Sequence, residues 1–186
     1  MEFADVPVPA DQLWDVVADL PAMVGILSMV VGLEFDNNKT APLATGTRFR
    51  ETREFEGTKY TLYKTVTRLE AANPKERYLS FGVGFRDPRG KPTKTVNTST
   101  LTVQHITKTT SRLILTVAFE WHGAKEVVGN LICSPCIKRK VRVHMQKEVE
   151  CYCNAAVARK LAESESGFMK TNDFEVARLL LQNKKT

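Results

Sequence analysis

CIKRKVRVHMQKEVECYCNAAVARKLAE, Cys136 to Glu163, is the stretch whose reading decides the fold. Taken at 3.6 residues per turn, Ile137, Val141, Met145, Val149, Tyr152 and Ala156 fall on one continuous apolar stripe. A helix of this extent is roughly 40 Å long, enough to cross a whole small domain. Such a stripe needs a partner surface. The chain upstream supplies one in a series of strand-like segments able to curl around it.

Working back from Pro135, which opens the helix, Ala124 to Ser134 is an apolar connector and His122-Gly123 is a break. Before it, Thr98 to Thr107 and Arg112 to Trp121 alternate as strands joined across Lys108 to Ser111. Arg86 to Asn97 is a basic loop with two prolines, preceded by a strand from Arg77 to Phe85 and a turn at Asn73-Pro74. Thr47 to Phe55 and Lys59 to Leu69 pair through a tight turn at Glu56-Gly57, and Val30 to Phe35 is a β-branched strand followed by the polar loop Asp36 to Gly46. The chain opens with a strand, Glu2 to Val8. An amphipathic helix follows from Ala10 to Asp19, carrying Leu13, Val16, Val17 and Leu20 at helical spacing with Trp14 beside them. Pro21 ends it, and Ala22 to Leu27 forms a further turn or second short helix.

Working forward from Glu163, Ser164-Glu165-Ser166-Gly167 reads as a linker. Asp173 to Gln182 reads as a small amphipathic helix with Phe174, Ala177, Leu180 and Leu181 on one face. The expected division is therefore a domain over residues 1–163 and an appendage over 164–186.

The composition is that of an ordinary globular domain: 186 residues, 42% hydrophobic and 26% charged. No apolar run reaches the roughly 18 residues that span a bilayer, and no signal peptide opens the chain, so the expected location is cytoplasmic. Four cysteines, Cys133, Cys136, Cys151 and Cys153, suit a reduced compartment better than a disulfide scaffold. The net charge of +6 concentrates at Lys138, Arg139, Lys140, Arg142 and Lys147, with a second group at Arg86, Arg89, Lys91 and Lys94. Such groups are solvated faces or docking points for an anionic membrane; without a recognition motif they do not point to nucleic acid.

The order of elements, with the words that spell them, resembles the START-like superfamily of polyketide cyclases, dehydratases and lipid-transfer proteins (the SRPBCC group). VPVPADQLWDVVADL, GTRFRE at Gly46 to Glu51, YKTVTRLEAANPKERYLSF at Tyr63 to Phe81, SRLILTVAFEW and the long helix carry the likeness, which covers Glu2 to about Glu163. The resemblance implies an α+β helix-grip fold: a curved antiparallel β-sheet wrapped around a long C-terminal α-helix, with two short helices after the first strand, around an apolar cavity. One such fold hosts carriers, cyclases and regulators, so function has to be argued from the site.

Residues two apart on a strand share a face. The apolar alternation turns Leu113, Leu115, Val117, Phe119 and Trp121 inward on the last strand, with Leu101, Val103 and His105 on the one before it. On the earlier strands the inward sets are Phe49, Glu51, Arg53 and Phe55, then Tyr60, Leu62, Lys64 and Val66, then Leu79, Phe81, Val83 and Phe85. Met145, Glu148, Val149 and Tyr152 face them from the helix. Among these the polar members are informative, because a charge facing an apolar cavity is costly unless paired. Glu51, Arg53, His105 and Glu148 either orient the polar end of a ligand, or move a proton on it, or form a structural ion pair beside a satisfied histidine.

Other chemistry is set aside. Cys133-Ser-Pro-Cys136 spells a dithiol motif without a βαβ unit, and Cys151 and Cys153 point apart on a helix, so neither a redox pair nor a metal site is expected. No phosphate loop, nucleophile elbow or dinucleotide fingerprint occurs, and no cofactor is expected. Three functions remain: binding or transport of a hydrophobic small molecule (a lipid, sterol, pigment or polyketide), a cyclase or dehydratase using interior Glu and His, and an interaction module of the same fold.

Overall fold

The computed structural model describes residues 1–36, 43–55, 57–84, 97–119 and 135–182, with the backbone alone described at 55, 119, 135–138, 140 and 165–182. Strand β1 (Glu2–Val6) leads to helix α1 (Ala10–Val17), a 3-10 turn (Leu20–Ala22) and the short helix α2 (Met23–Ile26). Strands β2 (Val30–Phe35), β3 (Arg48–Phe55), β4 (Thr58–Glu70), β5 (Glu76–Gly84), β6 (Asn97–Thr107) and β7 (Thr110–Phe119) follow, and helix α3 (Pro135–Gln182) ends the chain.

The strands form one antiparallel sheet in the order β1-β7-β6-β5-β4-β3-β2, curved around α3. This is the α+β helix-grip arrangement. Local chemistry accounts for the joints. Phe55 pairs with Thr58, leaving a two-residue hairpin loop that needs positive φ, and Gly57 supplies it at +77°. The Asp19 carboxylate accepts from the Ala22 N–H at 3.2 Å and caps the 3-10 turn, whose first turn Pro21 suits. A bulge between Val66 and Arg68 shifts β4 by one residue against β5. Leu69 then lies opposite Leu79 on the inner face, where strict alternation from Val66 would have turned it out.

At one end the sheet is solidly packed. Leu79, Leu101, Val103 and Leu113 meet Leu13, Trp14 and Val17 of α1 and Val149, Tyr152 and Ala156 of α3 in a single buried cluster. The Arg77 guanidinium, on the same inner face, bonds Asp11 and lies 6.0 Å from the Trp14 ring. Lys160 of α3 donates to the Pro7 carbonyl at 2.5 Å and ties the helix to the first strand's exit.

One expectation is corrected. The helix continues through 164–167, where the sequence reads as a linker, and the expected boundary at 163/164 falls inside it. No proline follows Pro135. The lone Gly167 weakens a helix by only about 1 kcal/mol, and serine and glutamate are tolerated in one. The apolar face expected on 173–182 lies outside the described side chains, as do the basic loop at 85–96 and the connector at 120–134.

Candidate functional site

Between the other end of the sheet and the first half of α3 the structure holds a cavity of about 700 Å³. The register explains what faces it. Arg53 lies opposite Tyr60, Lys64 opposite Val83, Val83 opposite Asn97, and Ser99 opposite Val117, so these residues share the concave face. From the helix come Val141, His144, Met145 and Glu148, at i, i+3, i+4 and i+7, and Met29 closes the side from the turn after α2. Leu62 and Leu115 complete the apolar wall, and Glu54 stands at the rim, 43% exposed, with Lys59 at 3.9 Å.

Four charged groups meet at one side of the cavity. The Lys64 ammonium donates to Glu51 Oε2 at 2.6 Å, and the Arg53 Nε–H donates to Glu51 Oε1. Arg53 Nη1 reaches across to α3 and donates to Glu148 Oε2 at 3.1 Å; the Met29 sulfur lies 3.5 Å from the same nitrogen. Arg53 and Lys64 belong to the cavity wall, whereas Glu51 is wholly buried behind them and does not line it. Lys64 also sits 5.2 Å from the Phe81 ring centroid. Burial alone would push the Glu51 carboxyl up, but Lys64 and then Arg53 outweigh it, and the group titrates below its usual range. For Arg53, burial works against the charge while Glu148 and Glu51 favour it, and the net shift is upward.

Of the residues expected to meet a ligand, Arg53, Tyr60, Leu62, Val117, Met145 and Glu148 line the cavity. Phe49, Phe81, Val103, Val149 and Tyr152 do not; they are buried in the core adjoining it. Phe49 packs edge-on to Phe81 at 5.6 Å and tilted to Phe35 at 5.7 Å, which fills that part of the interior. Glu51 is corrected likewise, from a ligand-facing group to one enclosed by its two cations. His105 is corrected outright: it is exposed. The alternation that buries Leu101 and Val103 holds as far as the end of the hairpin, where a bulge between His105 and Thr107 disturbs the pairing. The side chain of Phe119 and all of Trp121 lie outside the described residues.

Five lining residues were not anticipated. Asn97 and Ser99 stand in phase with Leu101 and Val103 on β6, so alternation carried back to the start of that strand finds them. His144 completes the i, i+3, i+4, i+7 set begun by Val141. Met29 lies in a turn and carries no periodic signal, and alternation from Arg53 turns Glu54 outward, to the rim. They meet through the backbone, the Glu54 N–H donating to the Met29 carbonyl at 2.9 Å.

Elsewhere, Cys151 and Cys153 are free thiols, and burial first of all raises the Cys153 thiol to about 11, leaving it neutral and unreactive at ordinary pH. Cys133 lies outside the described residues. No group of His, Cys, Asp and Glu among the described residues is arranged to hold a metal ion. No helix among them is long and apolar enough to cross a membrane. Of the basic run on α3, Arg139 and Lys147 are exposed, and Arg142 is engaged by Glu2 of β1 at 2.7 Å.

With this geometry in view, the chain was compared with known proteins. No curated protein matches it significantly. Among solved structures it is similar to a hypothetical protein from Helicobacter pylori, at 10% identity and TM-score 0.65, over 83% of this chain and 85% of that one. It is also similar to the Zhui aromatase/cyclase from Streptomyces sp. R1128, at 15% identity and TM-score 0.57, over 85% and 92%. A third likeness is to Ara h 8.0201, at 14% identity and TM-score 0.57, over 84% and 95%. At such identities these likenesses speak of fold and not of ligand. A family model described as polyketide cyclase / dehydrase and lipid transport matches residues 2–150. The chain therefore belongs to the polyketide cyclase/dehydrase and lipid transport family.

Proposed function

We propose that the protein binds a hydrophobic small molecule (a lipid, sterol, pigment or polyketide) between the sheet and α3 and carries it without altering it. The observation that carries this reading is the cavity itself. At about 700 Å³ it has the size of a small-molecule site, and its wall is mostly apolar with a few polar groups gathered at Arg53 and Lys64. Burying an apolar ligand there is favourable by about 25 cal/mol per Å² of its surface, and the cationic donors orient its polar end. Glu51, the carboxylate first considered for proton transfer, has both oxygens engaged and is held ionised, which favours positioning over general-acid chemistry.

Native mass spectrometry of the purified protein, followed by extraction of anything bound, tests the proposal. A hydrophobic compound recovered unchanged, and exchanged unchanged against added ligand, is the expected result. A protein that is empty and binds no hydrophobic probe would overturn it. The cyclase or dehydratase reading is the second one, favoured by His144 and Glu148, which line the cavity one helical turn apart. Recovery of the added compound in a dehydrated or cyclised form, from the same experiment, would put that reading first.

A further inference from the structure

The two carboxylates that meet Arg53 are unequal. Glu51 is on the same strand, wholly buried, and bonded through both oxygens to two cations. Glu148 comes from α3, keeps 12% of its side chain exposed, and accepts one bond from Nη1 at 3.1 Å. Both neighbours of that nitrogen, Glu148 and Met29, belong to the cavity wall, so this corner of the guanidinium faces the space a ligand would fill.

Building on the cavity reading above, we infer that the ligand is an organic anion, an apolar body ending in a carboxylate or comparably acidic oxygen group, and that Glu148 occupies its place on Arg53 until it arrives. Charge balance favours an anion. Glu51 and Glu148 offset Arg53 and Lys64, so the cluster is neutral as it stands. An anion that takes Arg53 while Glu148 turns to solvent leaves that balance intact. Glu148 is the group free to leave, being already partly wet, whereas releasing Glu51 would strand a charge in the interior. A cation entering the cavity finds each carboxylate of the wall already beside a cation, Glu54 at the rim near Lys59 and Glu148 on Arg53, with Glu51 hidden behind Lys64 and Arg53. A neutral ligand leaves Glu148 where it is and gains no charge-assisted bond. The planar guanidinium suits a carboxylate better than an ammonium would, because it offers donors in a fixed fork.

The test compares dodecanoate, dodecan-1-ol and dodecyltrimethylammonium binding to the full chain by titration calorimetry below their micellar concentrations. Dodecanoate is expected to bind on the order of tenfold more tightly than the alcohol, the scale of one charge-assisted hydrogen bond. Glu148→Gln, which removes the resident competitor and keeps the side chain's shape, should tighten dodecanoate severalfold, and by more than it changes the affinity for the alcohol. If the alcohol binds as well as the acid, or the substitution weakens dodecanoate, the inference falls while the cavity reading stands. If none of the three probes binds, both fall together.

Discussion

The two ends of this sheet are built from the same alternation and do opposite things. Under α1 the inner face carries Leu79, Leu101, Val103 and Leu113, which join the apolar residues of α1 and α3 in one buried cluster. Toward the β3–β4 hairpin the same face carries Arg53, Lys64, Asn97 and Ser99 and stands off from α3 around about 700 Å³ of space. One long helix serves both. Its residues from Val149 to Ala156 fill the packed end, and those from Val141 to Glu148 roof the hollow one. The contrast teaches that a cavity of this kind is held open by electrostatics as well as by shape. An empty apolar space would favour collapse, but a buried carboxylate that fixes two cations at set positions resists it. Rigidity at the packed end lets the hollow end persist.

The largest effect should come from breaking that charge cluster. Glu51→Ala leaves Lys64 and Arg53 without their buried partner, and the cost is expected at about 3–5 kcal/mol in urea unfolding. The acid response follows. Burial opposes ionisation of Glu51, yet Lys64 and Arg53 hold its folded pKa below the ordinary 4.5. The folded state then binds fewer protons than the unfolded one between those two values. The stabilisation is complete above the unfolded pKa and is lost as pH falls through the folded one. Wild type should therefore lose stability below about pH 5 more steeply than Glu51→Ala does. Equal slopes would mean that Lys64 and Arg53 do not hold the folded Glu51 pKa below its ordinary value.

A matched pair of substitutions separates the two ends directly. Leu113→Ala, at a wholly buried position, should cost about 2–5 kcal/mol, because the cavity it opens has no solvent access and the packed surroundings relax little. Leu62→Ala removes the same atoms from a wall that already faces open space, and should cost about 1 kcal/mol or less while weakening binding of hydrophobic probes. Similar losses from both would erase the distinction between a packed and a hollow end.

How far the sequence foretells this division depends on which physical rule applies. Period 2 and period 3.6 find the seven strands and the helix, since both come from burying one face. The same rules say which side of the sheet a residue takes, but not how deep along it. Glu51 was thus assigned to the right side without any sign that Lys64, one strand over and diagonal to it, would enclose it. His105 kept its phase and lost its cover at the hairpin's end. Serines and a glycine after Glu163 read as a linker because they lower helix propensity, yet without a proline that weak preference does not end a helix already running. Met29 enters the cavity from a turn, where no period exists to announce it.

At the seam between the two ends lies Tyr152, wholly buried, whose hydroxyl finds no hydrogen-bond partner among the described residues. Burial first, then the nearby Glu148 and Glu51 charges, push its pKa well above 10, so it stays a neutral phenol. A hydroxyl buried without a partner is a liability: it gave up its bonds to water and gained none. Tyr152→Phe keeps the ring and its packing, and should be neutral or stabilising by about 1 kcal/mol, read from the urea midpoint at unchanged slope. A loss of more than about 1 kcal/mol would instead mean that the hydroxyl is satisfied by an ordered water reaching the seam from the cavity. The hollow end would then extend, through that water, to the first layer of the packed one.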